Sequence, residues 1–219
     1  MKLKKGTRIE SFKENFMKKI LLFLIVFIML CTFTVRADEY TLYSGDACIY
    51  NDFKKDFDYT TFKIKYDDVR ETYYLYTYRD YSYDAWIYLS ENDLQIIRNA
   101  LIKFKDWEKI AKENNVKLNK EIPDSRIKTK VDCKKYYITE KFRGVNLELS
   151  FSFFSQSAYL HQFVISADTI ISENNSTPSL DIKELYIYGW NIDKFLSGID
   201  VNTISEKKKE HSKQKDLFQ

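Results

Sequence analysis

Among 219 residues there are only five Gly, two Pro, two His and three Cys, and each scarcity removes a class of chemistry. Scattered glycines leave no phosphate-cradling loop, which needs glycines at fixed offsets so that the backbone can approach the phosphate. With so few prolines there is no Pro-rich linker. His211 lies near the end of the chain, so any histidine-dependent mechanism in its body falls to His161. No Gly-x-Ser-x-Gly elbow accompanies it, although that turn is how many hydrolases expose a nucleophile. Structural zinc sites draw four ligands from close pairs, and neither Cys48 nor Cys133 has a Cys or His neighbour. Asp56 with Asp58, Asp67-Asp68 with Glu71, and Asp181 with Glu184 match neither a calcium loop nor a glycosidase pair. No metal and no cofactor is expected.

A basic footprint is also missing from the body of the chain. Residues 1–37 hold eight Lys and Arg against Glu10 and Glu14, a net +6 within a total of +3. Residues 206–219 add a net +2, which leaves 38–205 at −5. Nucleic-acid binders release counterions by neutralising phosphates, so nucleic acid is not an expected partner.

There is one long apolar run, Ile20–Cys31, preceded by Lys18-Lys19 and followed by Val35-Arg36-Ala37. It is shorter than the roughly 20 residues of a spanning helix. A basic start, a short apolar core and a small residue at the end make a secretory signal. Residues 1–37 are therefore expected to be a signal peptide, or an uncleaved N-terminal anchor. Met17 also begins such a signal, so the start is Met1 or Met17, and 1–16 is either an extension or a misassigned start. In the exported chain from Asp38, Cys48 and Cys133 are the two remaining cysteines, and an oxidising compartment predicts a disulfide between them.

Beyond Asp38 the sequence is organised by two periods. Alternation marks strands at Phe62–Tyr66, Thr72–Tyr78 and Tyr83–Leu89, all rich in the aromatic and β-branched residues that suit a pleated surface. Arg79–Ser82 reads as a hairpin loop. Ser90 is a helix N-cap, with Glu91 and Asp93 in the first turn. Leu94, Ile97, Leu101, Phe104 and Ala111 then recur at helical spacing, flanked by Trp107 and Ile110, as far as Asn114-Asn115. Residues 116–133 are polar and Lys-rich and read as a connection. Alternation returns at Tyr136–Phe142, which Arg143-Gly144 joins as a hairpin to Val145–Phe153. Strands at Tyr159–Ala167 and Leu185–Tyr188 flank a loop at 172–181, and Asn191 caps a short helix carrying Ile192, Phe195, Leu196 and Ile199. The expected fold class is α+β, a mostly antiparallel sheet of two strand groups packed against one long helix, about 91–114, with a short C-terminal helix. The exported domain would span 38–205, and 206–219 would be a charged flexible tail.

Tyrosine is the abundant residue. All seventeen follow residue 37, and nine lie between Tyr59 and Tyr88. Tyr74, Tyr76 and Tyr78 share one strand face, and Trp86 and Tyr88 share the matching face of the next strand. Tyr combines apolar area with a polar tip and suits contact surfaces, so these five residues are the candidate binding site. The sequence thus reads as an exported, non-catalytic binding or structural domain of a bacterial envelope, with an envelope protein or glycan as partner. Two alternatives stand beside it: a small exported hydrolase using His161, and a domain tethered to the membrane through an uncleaved N-terminal helix.

Overall fold

A computed structural model describes residues 39–79, 83–135, 141–169 and 182–217. The expected signal 1–37, residues 80–82 of the expected hairpin loop, residues 136–140 of the expected strand Tyr136–Phe142 and the expected loop 172–181 lie outside them. In chain order the strands are β1 (Glu39–Asn51), β2 (Asp56–Asp67), β3 (Thr72–Arg79), β4 (Tyr83–Leu89), β5 (Leu118–Glu121), β6 (Ile127–Lys135), β7 (Lys141–Ser155), β8 (His161–Ala167) and β9 (Leu185–Tyr188). Eight of them form a ring in the order β7-β6-β4-β3-β2-β1-β9-β8, and β8 pairs back onto β7. Every pairing is antiparallel. The short β5 pairs with the last four residues of β7, continuing the edge that β6 occupies lower down.

The α+β expectation is overturned: the two strand groups do not lie as an open sheet against a helix but close on each other as a β-barrel. Two seams join them. Ala85 of β4 faces Cys133 of β6, and Cys48 of β1 faces Tyr186 of β9. The alternation read as one apolar face per strand becomes an inside and an outside. Phe62, Ile64, Leu75, Ile87, Leu149, Phe151 and Phe163 point inward and are fully buried. They fill the interior, as side chains do in an eight-stranded barrel. One inward row, Gly45–Phe62–Thr77–Ala85–Cys133, runs across five strands. Gly45 has no room for a side chain there, because a Cβ would lie 2.8 Å from the Phe62 ring and closer still to Tyr43.

Strand β1 had no visible period. A register shift between Thr41 and Tyr43 breaks its alternation, and small residues occupy both of its faces. Strand β5 and most of β6 lie within the expected connection. In β6, Lys128 and Lys134 are exposed while Ile127, Val131 and Cys133 are buried, so the Lys-rich composition was one face of a strand. Arg143-Gly144 is not a hairpin turn. It is a bulge inside β7, where the register shifts opposite Val131–Cys133. Gly144 takes φ +61°, which favours glycine, and its N–H donates to Asp132 Oδ1 at 2.7 Å.

β4 and β9 finish at the same end of the barrel, so the helices that follow them collect there. Helix α1 (Glu91–Asn114) starts as expected on Ser90, whose Oγ accepts from Asp93 N while Asp93 accepts from Ser90 N. It ends on Asn115 at φ 49°. Its stripe Leu94, Ile97, Ala100, Leu101, Phe104 and Ala111 is buried, but Ile110 is exposed. Phe104 packs on the inward-facing rings of Phe153 (5.2 Å) and Phe163 (5.9 Å), so α1 covers an end of the barrel rather than the face of a sheet. Helix α2 (Ile192–Gly198) follows Asn191, which makes no side-chain cap bond. It seats Phe195 against Tyr43 and Phe62 at 5.0 and 4.9 Å.

The charged segment expected as a tail is helix α3 (Val201–Asp216), capped by Asp200. Ile204 is its one buried residue. Long lysine stems do the rest: Lys208 Nζ lies 3.8 Å from the Tyr66 ring, and Lys215 pairs with Asp68. His211 stacks on Tyr40 at 4.1 Å. Amphipathic cations of this kind cover apolar surface without an apolar sequence signal. Among the described residues no helix is long and apolar enough to cross a membrane.

Candidate functional site

The five aromatic residues singled out above all stand on the outer wall. Their parity is opposite to that of Leu75, Ala85 and Ile87, which face the core. Register places Tyr76 between Lys63 and Trp86, with Asp132 beyond, and Tyr74 between Lys65 and Tyr88. The rings form two neighbouring groups on this face. Tyr74 meets Tyr88 at 5.0 Å, Tyr76 meets Trp86 at 5.2 Å, and Tyr76 stacks with Tyr78 at 6.1 Å.

The strip is not evenly open. Tyr76, Tyr78, Trp86 and Tyr88 are half-buried, whereas Tyr74 is only 3% exposed. Tyr74 lies under its neighbours on the outside of the wall, apart from the core cluster, and its hydroxyl accepts from Arg70 at 3.4 Å. Two further hydroxyls are held as well: Tyr76 donates to Asp84 at 2.9 Å and Tyr88 to Asp132 at 2.8 Å. Lys65 places its ammonium 4.5 Å from the Tyr76 ring and pairs with Glu39. Burial, then the Asp132 carboxylate, pushes the Tyr88 hydroxyl up to about 12. Burial raises Tyr74 also, against the opposing pull of Arg70. Tyr76 and Tyr88 thus hold their hydroxyls as oriented donors, and Tyr74 as an acceptor. Such a strip offers flat apolar area with a charged rim, suited to contact rather than to chemistry.

Arg70, Asp84 and Asp132 are the members of this surface that the sequence did not bring forward. Asp84 could have been found from its place two residues before Trp86 on the same face. Arg70 in a turn and Asp132 on β6 required the register.

His161 is 2% exposed on the inner side of β8. Ser155 Oγ lies 3.1 Å from its Nδ1 and the Ala158 carbonyl 3.1 Å from its Nε2. The Ser155 hydroxyl itself donates to the Val116 carbonyl at 2.6 Å. Histidine and serine are therefore within the reach that nucleophilic catalysis needs. Both are spent on backbone carbonyls, though, and together they tie the β7–β8 connection to the end of α1. Cys48 and Cys133 are both buried and are not joined to each other in this structure. Cys48 faces Tyr59 on the outside of the wall and Cys133 faces Ala85 on the inside, so the wall separates the two sulfurs. Burial raises the Cys48 thiol, opposed by a hydrogen bond with Tyr188. Among the described residues no three of His, Cys, Asp and Glu gather as a metal site would require.

The sequence matches no protein-family model, and comparisons with curated proteins and with solved structures return no match.

Proposed function

We propose that this chain is an exported, non-catalytic contact domain of the cell envelope, and that it binds a protein or glycan through the strip Tyr76, Tyr78, Trp86 and Tyr88, with Tyr74 as the support beneath. Export rests on the N-terminal pattern of Lys18-Lys19, the apolar run Ile20–Cys31 and Val35-Arg36-Ala37. What carries the binding reading is the row of half-exposed aromatic rings on the outside of a barrel whose inside is already filled. Closure of the eight-stranded ring leaves the short β5 as the strand with an open edge among the described strands, so the larger surface on offer is made of outward side chains. Rigid Tyr and Trp rings give large contact area for little loss of conformational freedom.

Capture from an envelope fraction tests this, with the protein purified from its native compartment as bait. The comparison is wild type against a variant carrying Tyr76→Ser, Tyr78→Ser and Trp86→Ser. Tyr74 is kept because it is buried. The variant should retain its far-ultraviolet circular dichroism and lose its partner. A glycan partner would survive protease treatment of the fraction, and a protein partner would not. Undiminished capture by a folded variant would overturn the assignment.

A further inference from the structure

The helix-covered end of the barrel holds a cavity of about 530 Å³ between the first turns of α1 and α3. Small-molecule sites commonly run to about 300–1,000 Å³ and favour the mouths of barrels. Leu94 and Ile204 give it an apolar floor, and Arg98, Lys208, Tyr73 and Glu91 supply its polar groups.

The charges of this cavity do not balance. Lys208 donates to the Tyr73 hydroxyl at 2.7 Å, and that hydroxyl donates to Glu91 at 3.4 Å. Lysine and glutamate thus answer each other through the tyrosine. Arg98 has no such counterpart. Its Nε donates to the Ile199 carbonyl and its Nη1 to Gln95 Oε1 at 3.0 Å, both neutral oxygens. Among the described residues no carboxylate lies within ion-pair distance of it. A half-buried guanidinium prefers an anionic partner, and its planar fork matches a carboxylate with two parallel bonds. The geometry points to a ligand site: we propose that the cavity takes a small monocarboxylate with an apolar body, its carboxylate on Arg98 and its body over Leu94 and Ile204, beneath α3. One uncompensated positive charge calls for one negative charge. Arg98 and Lys208 against the single carboxylate of Glu91 leave the lining one positive charge in excess, which a monoanion neutralises.

Calorimetric titration of the intact protein with octanoate, octanol and octylamine tests the site. Octanoate should bind at least tenfold more tightly than octanol, and octylamine should not bind. Arg98→Gln should remove the advantage of the carboxylate. Because that change also releases the Ile199 carbonyl and could loosen α2, a second variant keeps the test independent of folding. Glu91→Gln, at an exposed rim position, removes the only repulsion and should tighten octanoate by about two- to fivefold. Equal binding of octanol and octanoate would overturn the proposal. So would octanoate affinity indifferent to both substitutions.

Discussion

Replacing Phe104 by Ala probes how firmly the helical cap is seated. Phe104 is fully buried, and its ring touches Phe153 and Phe163, which face into the barrel. Truncating a core Phe to Ala removes about 3–5 kcal/mol, the lost transfer free energy plus the cavity left behind. The void would lie between α1 and the rims of β7 and β8, where close-packed rings have little freedom to collapse, so about 4 kcal/mol is a fair central value. Domains have about 5–15 kcal/mol in total, so this single change is a large share. With a urea slope of roughly 2 kcal/mol/M, the midpoint should fall by about 2 M with the slope unchanged. Ile102→Ala on the same helix is the control, since Ile102 is 52% exposed and such changes stay within about 0.5 kcal/mol. A Phe104→Ala loss below about 1 kcal/mol, or equal to that of the control, would mean that α1 does not seal the barrel.

Alkaline pH should unfold the protein through its tyrosines. Burial, and for Tyr73 and Tyr88 the nearby carboxylates of Glu91 and Asp132, push Tyr40, Tyr43, Tyr73, Tyr88 and Tyr188 up to about 12 from the ordinary 10.0. Between those values the folded state holds protons that the unfolded state has released, so this stabilisation is complete below pH 10 and is lost as pH rises towards 12. Tyrosinate absorbance should rise in step with loss of circular dichroism, and full ionisation near pH 10 in a folded protein would contradict it. Alkylation in denaturant without reductant should label both Cys48 and Cys133, because the barrel wall lies between them. A protein mass two hydrogens short, with neither thiol labelled, would contradict the register of β1 or β6. Gly144→Ala should cost about 1–2 kcal/mol from the left-handed backbone alone, since nothing lies within 4 Å of a Cβ there. A neutral result in urea unfolding would mean that the β7 bulge relaxes.

Local rules carried the parts of the fold whose causes are local. The N-cap at Ser90, the stripe Leu94–Phe104 and the stop at Asn114-Asn115 could be read directly, because each depends on neighbours within a turn or two. So could the faces of β3, β4 and the second half of β7. Closure could not. It rests on β1 meeting β9, with Cys48 opposite Tyr186, and on a β1 whose period is broken by a bulge. Sequence alternation says that one face is buried but not whether a helix or the far side of the same sheet covers it. Lys128 and Lys134 hid β6 for a different reason: an outward lysine row on a barrel looks like a linker when the inward row is short. Helix α3 docks through lysine stems and a stacked histidine, interactions that leave no apolar stripe to find. At the candidate surface the shared face of Tyr74, Tyr76 and Tyr78 was legible from their spacing. The burial of Tyr74 was not, since it depends on Tyr88 of the next strand and Arg70 of the preceding turn.

Closure of the ring is tested most directly by cross-strand nuclear Overhauser contacts. Contacts between Cys48 and Tyr186, together with contacts between Ala85 and Cys133, are expected from the two seams, with slow amide exchange on the β9 side of β1 around Cys48. Contacts from β1 to β2 and from β8 to β9 without any from β1 to β9, and an edge of β1 that exchanges freely, would describe an open sheet and contradict the barrel.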